Sequence, residues 1–301
     1  MNYADLPSNV RAEYPWPGEF LDVPGGRIHY VDVGSGDPIL MLHGNPTWSF
    51  YWRNLIKGLS GQHRCVAPDH LGHGLSDKPE GWTYRLVDHI DNAVRLVESL
   101  DLRNITLVMH DWGGAIGMGV AVRLPDRIKR LVIFNTAAFH GPVPLSIRMC
   151  RWPVYGPLAI RGLNGFVRGG LVAGTGDRSK FAHPVDTGYL APYGSWRERV
   201  GQLRFIQDIP LEADHPTRPT IDAIERELHT FRDRPAIVIW GMKDFCFTPE
   251  FLTRWRKELP DAEIHELHEA GHWVVEDARD ILLPMLTDWL ARHPLNAVVS
   301  P

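Results

Sequence analysis

Short apolar runs alternate with amphipathic stretches along the chain. Seven runs are rich in β-branched residues: 27–33, 38–44, 64–70, 105–111, 130–136, 236–242 and 263–269. Several of these runs are apolar on both faces. Such runs are typical of strands in a parallel sheet that helices cover on both sides. Between them, residues 86–100 place Ile90, Val94 and Val97 on one stripe opposite the charges, which predicts a covering helix. The pattern therefore predicts an α/β protein with a mostly parallel, doubly wound sheet.

This alternation stops between about residue 138 and residue 216, where Pro, Gly, Arg and Trp dominate and no run has strand character. We predict that residues 139–216 form a helical cap inserted into a core domain of residues 1–138 and 217–301. Residues 141–210 contain nine Arg or Lys against four Asp or Glu, although the whole chain has a formal net charge of -4. This local excess indicates either a solvated basic face or a docking surface for an acidic partner or a membrane interface.

The composition narrows the class of protein. With 301 residues and 44% hydrophobic content, the chain is expected to build a substantial core. Its net negative charge argues against nucleic-acid binding, which needs a strongly basic surface. Cys65, Cys150 and Cys246 are too few for a disulfide framework and lack zinc-site spacing, so a cytoplasmic location is expected. No secretion signal and no membrane span is predicted, because no apolar run is long enough.

The first motif with chemical content is residues 105–117, ITLVMHDWGGAIG. An apolar run ends in a polar residue, glycines follow, and a helical pattern begins, as in the nucleophile elbow of hydrolases. Asp111 stands where the G-x-S-x-G elbow has its serine. A carboxylate is a useful nucleophile at a saturated carbon that bears a leaving group, so the substrate is expected to be a halide, an epoxide or a lactone opened at its alkyl carbon. As an alternative, Asp111 caps the following helix.

Two downstream motifs supply partners for Asp111. Asp244 follows the apolar run 236–242, and His272 follows the last predicted strand. The chain order of nucleophile, acid and histidine is that of an α/β-hydrolase triad, and open α/β sheets build their sites at the carboxyl ends of strands. We therefore predict a catalytic triad. Histidines that lack this support are expected to be structural or surface residues, namely His70, His73, His110, His265 and His268.

A fourth motif follows the run 38–42, where the turn of residues 43–46 contains Asn45. The backbone N–H groups of Asn45 and Trp112 are candidates for an oxyanion hole. The two side chains also offer neutral N–H donors, which suit a departing halide because they bind an anion without neutralising the attacking carboxylate. The alternative is that Asn45 is a turn residue and Trp112 fills the core.

Taken together, these residues resemble the haloalkane dehalogenases of the α/β-hydrolase superfamily over essentially the whole chain. The resemblance implies that Asp111 is the nucleophile, His272 the base and Asp244 its orienting acid, with Asn45 and Trp112 as the halide pair. In one dehalogenase subfamily the acid follows the strand before the cap, whereas residues 135–139 of this chain hold no carboxylate. An Asp-His-Asp triad with an Asn/Trp pair is similar to the third dehalogenase subfamily. The motifs that carry the resemblance are HGNPTWSF (43–50), PDHLGHGLSDKP (68–79), HDWGG (110–114), WGMKD (240–244) and AGHWVVED (270–277).

Within that subfamily, residues 135–139, 161–170 and 188–211 resemble the β-lactone decarboxylases of bacterial olefin biosynthesis. The expected activity is haloalkane hydrolysis to alcohol and halide, and the alternative is conversion of a cis-3,4-dialkyl β-lactone to a cis-alkene and CO2. Neither reaction needs a metal or an organic cofactor, and both imply a small apolar substrate. The resemblance also makes the basic cap a candidate surface for a homo-oligomer or a biosynthetic complex.

Two further functions stay open. An epoxide hydrolase also uses an elbow aspartate but needs two cap tyrosines to protonate the epoxide oxygen, for which Tyr155, Tyr189 and Tyr193 are candidates. The same fold kept as a non-catalytic ligand-binding scaffold would show decay of the motifs, and none is seen.

Overall fold

The computed structural model describes residues 1–295 of the protein. Eight strands form one sheet in the order β1-β2-β4-β3-β5-β6-β7-β8. The pairs β1/β2 and β2/β4 are antiparallel, and all the other neighbouring strands are parallel. The strands are β1 (Glu19–Val23), β2 (Gly26–Val33), β3 (Pro38–Leu42), β4 (Arg64–Pro68), β5 (Ile105–Asp111), β6 (Ile128–Thr136), β7 (Ala236–Gly241) and β8 (Glu263–Leu267).

Twelve α-helices of the described chain surround the sheet. Those outside the β6–β7 connection are α1 (Ser8–Glu13), α2 (Arg53–Leu59), α3 (Leu86–Ser99), α4 (Trp112–Arg123), α10 (Pro249–Glu258), α11 (Val274–Asp277) and α12 (Arg279–Arg292). The connection from β6 to β7 contains α5 (Leu145–Met149), α6 (Gly165–Ala173), α7 (Val185–Leu190), α8 (Val200–Gln207) and α9 (Arg218–Glu227).

The core lies on both faces of the sheet. Along the central strand β5, Leu107 and Met109 belong to one buried cluster and Val108 to the other, because successive side chains point to opposite faces. All seven residues of β5 are buried. The sheet is therefore covered on both sides, as its apolar pattern predicts.

The predicted fold class is confirmed: the chain has an α/β-hydrolase architecture with a mostly parallel sheet. Each of the seven predicted strands is present, and the predicted helix over 86–100 is α3. Strand β1 was not predicted, since its residues are mostly exposed and lack a clear apolar pattern. No helix within residues 1–295 has the length and apolar character needed to cross a membrane.

Candidate active site

Asp111 lies at the turn from β5 into α4. Its backbone has φ 51° and ψ -125°, a conformation that residues other than glycine rarely adopt. Close packing surrounds the turn: a Cβ at Gly113 would collide with the Leu42 carbonyl, and one at Gly44 would collide with the Asp111 carboxylate. The hydroxyl of Thr136 donates to the Asp111 carbonyl oxygen. The elbow thus holds the Asp111 side chain at the carboxyl end of the central strand.

Backbone donors hold the carboxylate of Asp111. The Asn45 N–H donates to Oδ1 at 2.6 Å, and the nearby backbone N–H of Trp112 also favours the charged form of the carboxylate. Burial raises the pKa of Asp111 above its ordinary value, although His272 and these two N–H groups oppose the increase. Of the two predicted oxyanion-hole donors, the Asn45 N–H therefore binds this carboxylate directly, and Trp112 follows Asp111 in the chain.

His272 lies between two carboxylates. Its Nδ1 is 2.9 Å from Oδ2 of Asp244, and its Nε2 is 3.9 Å from Oδ2 of Asp111. Since Asp244 accepts a hydrogen bond from Nδ1–H, Nε2 is left facing Asp111. Burial disfavours the imidazolium, but Asp244 and Asp111 outweigh it and raise the pKa of His272 above 6.5. This geometry places an imidazole nitrogen, a group of the kind that can act as a general base, beside the Asp111 carboxylate.

The surroundings of His272 and Asp244 fix both side chains. The backbone N–H of Cys246 donates to Oδ1 of Asp244 at 2.6 Å. The Phe247 ring stacks on the His272 ring with a centroid distance of 5.7 Å, and His110 donates from Nε2 to the His272 carbonyl at 2.8 Å. His110 thus has a structural contact of the kind expected from the sequence.

A pocket with a cavity volume of about 160 Å³ opens above Asp111. Its wall is mostly apolar, with few polar side chains near the carboxylate. Asn45 and Trp112 lie on this wall, so four of the five predicted site residues are either at the carboxylate or beside it, and Asp244 reaches it through His272. The apolar lining includes Leu86, Ala115, Phe139, Ile147, Phe166, Ile206, Ile209, Ile221, Phe247 and Phe251.

Sequence reasoning missed most of this lining. Phe166 and Ile206 come from α6 and α8, Phe247 follows β7, and His140 follows β6, so no local motif links them. His140 bonds through Nε2 to Oδ1 of Asp222 at 2.6 Å. Among these four residues, only His140 and Phe247 follow predicted strand ends, which is the one signal that could mark them as neighbours of the site.

The three candidate tyrosines lie elsewhere. Tyr155 is 46% exposed, whereas Tyr189 and Tyr193 are fully buried. The Tyr189 hydroxyl donates to Glu276, and the Tyr193 hydroxyl accepts from the Gly74 N–H at 3.3 Å. None of the three is among the described residues that line the pocket. The arrangement therefore offers no tyrosine pair for protonating an epoxide oxygen there.

Within residues 1–295, no group of three or more His, Cys, Asp or Glu side chains is arranged to hold a metal ion.

Comparison with known families and proteins agrees with this geometry. The family described as alpha/beta hydrolase fold matches residues 37–157. The cis-3-alkyl-4-alkyloxetan-2-one decarboxylase of Shewanella oneidensis is 44% identical, covering 95% of this chain and 92% of the relative. The protein of the same name from Xanthomonas campestris pv. campestris is 40% identical, covering 94% and 98%. Haloalkane dehalogenase 2 of Mycobacterium tuberculosis is 36% identical, covering 89% and 92%.

Solved structures give the same picture. A haloalkane dehalogenase from Agrobacterium tumefaciens matches with a TM-score of 0.81 at 27% identity, covering 91% of this chain and 96% of that one. A haloalkane dehalogenase from Paraglaciecola agarilytica, described as tetrameric, matches with a TM-score of 0.78 at 27% identity, covering 95% and 97%. Both enzyme groups predicted from the sequence are thus represented among the similar proteins.

Proposed function

Because the chain belongs to the α/β-hydrolase family that includes the haloalkane dehalogenases and the cis-3-alkyl-4-alkyloxetan-2-one decarboxylases, we propose that it decarboxylates cis-3,4-dialkyl β-lactones to cis-alkenes. The observation that carries this proposal is the 44% and 40% identity, over nearly full length, to two proteins with that decarboxylase name. The site supports it, since a buried carboxylate faces an apolar pocket large enough for alkyl groups.

The first step uses Asp111 as the nucleophile. A carboxylate oxygen attacks the alkyl carbon C4 of the lactone, the ring C4–O bond breaks, and its electron pair stays on the departing lactone carboxylate. The product is an alkyl ester on Asp111 with inverted configuration at C4. Relief of ring strain favours this step, and the side-chain N–H groups of Asn45 and Trp112 are neutral donors for the new anion.

The second step regenerates Asp111. The bond from C3 to the free carboxylate breaks, its electrons form the C3–C4 double bond, and the C4–O bond to Asp111 breaks. CO2 leaves and Asp111 is again a carboxylate, so charge and atoms balance without a water molecule. Antiperiplanar departure of the two groups from the inverted ester gives the cis-alkene. In this cycle His272, held by Asp244, stabilises the carboxylates, but no proton transfer by His272 is required.

Hydrolytic dehalogenation is the second candidate, and the geometry of His272 favours it specifically. Its Nε2 faces Asp111, and its Nδ1 is held by Asp244, which is the arrangement a base needs to activate water against an Asp111 ester. In that reaction Asp111 displaces halide from a haloalkane, and water then releases the alcohol. The two reactions share their first step and differ in what releases Asp111.

The test is to incubate the purified protein with a cis-3,4-dialkyl β-lactone, and separately with a 1-bromoalkane of similar length. Alkene is measured by gas chromatography and bromide by ion chromatography, with Asp111→Asn as the control. The proposal predicts cis-alkene from the lactone with the native protein only. Bromide release without any alkene would replace decarboxylation with dehalogenation as the activity.

We also propose a domain organisation, an assembly and a cellular location for this protein. Residues 139–216 act as the cap over a core of residues 1–138 and 217–301, and their helices supply Phe166 and Ile206 to the pocket. The similar haloalkane dehalogenase described as tetrameric supports assembly of this chain into an oligomer. The surface that we propose for an oligomer or a biosynthetic complex is the basic cap. Cys65, Cys150 and Cys246 are free thiols, which supports a cytoplasmic setting.

A further inference from the structure

We propose that His73 is a positioning residue that fixes the Asn45 side chain with one amide N–H directed into the substrate pocket. The inference rests on the proposed function, in which Asn45 donates to the leaving group. His73 does not line the pocket, so its effect on the reaction passes through Asn45.

Both polar atoms of the Asn45 amide have partners outside the pocket. Nε2 of His73 is 3.1 Å from Oδ1 of Asn45. Nδ2 of Asn45 donates to the backbone carbonyl of Gln202 in α8 at 3.0 Å. All three residues are buried, with His73 and Gln202 fully inaccessible to solvent. The amide is therefore held from both of its ends.

These partners determine where the hydrogens lie. The carbonyl of Gln202 only accepts, so the NH2 end of Asn45 must face it, and Oδ1 must face His73. Oδ1 also only accepts, so Nε2 of His73 carries a hydrogen. Burial lowers the pKa of His73 well below its ordinary value, and the neutral ring then has its single hydrogen on Nε2.

One hydrogen of Asn45 remains. The Gln202 carbonyl takes one of the two Nδ2 hydrogens, and the side chain of Asn45 lies on the pocket wall beside Asp111. If the amide turned over, a lone pair would face the leaving anion in place of a donor. The bond from His73 opposes this rotation, because it would place two hydrogen-bond donors against each other.

Helix α8 also contacts Trp112, the second side-chain donor of the proposed mechanism. The ring of Phe205 meets the ring of His73 at a centroid distance of 4.5 Å and that of Trp112 at 5.3 Å, both edge to face. Gln202 and Phe205 are three residues apart and so lie on one face of the helix. The same face of α8 thus binds the Asn45 amide through Gln202 and packs against His73 and Trp112 through Phe205.

His89 provides a matched control. It is buried in the same cluster, its ring lies 4.4 Å from that of Phe205, and neither of its ring nitrogens has a hydrogen-bond partner among the described residues. Replacing His89 removes an imidazole from this cluster without touching Asn45. A packing role for the cluster and a positioning role for His73 therefore predict different results.

The experiment measures bromide affinity by fluorescence titration in the native protein and in His73→Leu, His73→Gln and His89→Leu. Bromide stands in for the leaving anion. We expect His73→Leu to weaken bromide binding about tenfold, the effect of one hydrogen bond. His73→Gln, whose amide keeps a donor at the position of Nε2, should restore most of the affinity, and His89→Leu should leave it within about twofold of native. Equal losses in His73→Leu and His89→Leu, or no rescue by Gln, would overturn the proposal.

A measurement on the unaltered protein covers the case in which a variant does not fold. Nitrogen-15 NMR of the imidazole rings reports which ring nitrogen of His73 carries the hydrogen, and the proposal requires Nε2. A hydrogen on Nδ1 would contradict it. Neither readout depends on lactone turnover, so a protein that binds bromide as expected but produces no alkene would reject the proposed function and leave the role of His73 intact.

Discussion

The backbone N–H of Asn45 donates a hydrogen bond of 2.6 Å to Oδ1 of Asp111. This bond occupies one carboxylate oxygen and leaves Oδ2 as the oxygen nearer to His272. Because Oδ1 is held by the turn after β3, the carboxylate is oriented before substrate arrives. In the proposed mechanism, this relationship favours attack by Oδ2, and it joins the elbow to the turn of residues 43–46.

Asp111→Asn should abolish both lactone decarboxylation and bromide release, by roughly 10⁴-fold or more, since an amide cannot form the alkyl ester. The variant should also be at least as stable as the native protein, because burial raises the pKa of Asp111 and the charged carboxylate is unfavourable there. Thermal unfolding and turnover are measured on the same samples. Retained turnover in a folded Asp111→Asn protein would exclude Asp111 as the nucleophile.

His272→Gln should separate the two reactions. Alkene formation from the lactone should fall by no more than about tenfold, as for a lost hydrogen-bond partner, because the cycle needs no base. With a bromoalkane, the variant should release one equivalent of bromide and stop, leaving the alkyl ester on Asp111. Intact-protein mass spectrometry would detect the added alkyl group. Continued bromide release by the variant would show that another group activates water.

The pH dependence follows from His272. Its pKa is raised above 6.5. Hydrolysis of the Asp111 ester should therefore become faster as the pH rises through this raised pKa, because His272 then becomes a neutral base. Lactone decarboxylation should lack this increase. Rates are compared across pH with bromoalkane and with lactone, and parallel profiles would contradict the assignment of His272.

The raised pKa of His272 also affects the free energy of unfolding. Since the folded-state pKa of His272 is raised, the stability it contributes is present below the unfolded value of 6.5 and is lost as the pH rises through the folded value. The difference in unfolding free energy between the native protein and His272→Gln should therefore shrink as the pH rises from below 6.5 through the raised folded-state pKa. A difference that grows over this range would mean that Asp244 and Asp111 do not stabilise the imidazolium.

Removing one partner of the buried ion pair between Arg53 and Glu276 should lower the free energy of unfolding strongly. The guanidinium of Arg53 in α2 binds both carboxylate oxygens of Glu276 in α11, and both side chains are almost completely buried. Removing one partner leaves an uncompensated charge, so Arg53→Met should lower the free energy of unfolding by about 3 to 5 kcal/mol. Arg64→Met is the control, because its pair with Asp32 is partly exposed. Denaturant unfolding measures both, and equal small losses would refute this estimate.

The sequence predicts the sheet and the residues at its strand ends better than it predicts the pocket. The seven apolar runs, the elbow at Asp111 and the order of Asp111, Asp244 and His272 are local signals, because strand periodicity and turn residues are read within short windows. Parallel topology then brings the strand ends to one edge, where the structure has these side chains within hydrogen-bonding or near-contact distance.

The contacts that close the site could not be predicted in the same way. His73 meets Asn45 across 28 positions, and Gln202 meets it across 157, so neither bond leaves a local pattern. The sequence predicts a structural or surface role for His73, and only the three-dimensional arrangement connects it to the pocket wall. The sequence does not predict strand β1 for a different reason: three of its five residues are exposed, and only Leu21 and Val23 pack against the core.

The most direct test of the account is oxygen labelling of Asp111 during turnover in H2¹⁸O. Hydrolysis of an alkyl ester by attack of water on its carbonyl carbon places ¹⁸O in the Asp111 carboxylate, whereas fragmentation to alkene and CO2 breaks the bond on the alkyl side and leaves it unlabelled. After many turnovers of lactone, mass spectrometry of the peptide containing Asp111 should show cis-alkene production with no label. Label that accumulates in Asp111 with each lactone turnover would contradict the proposed mechanism.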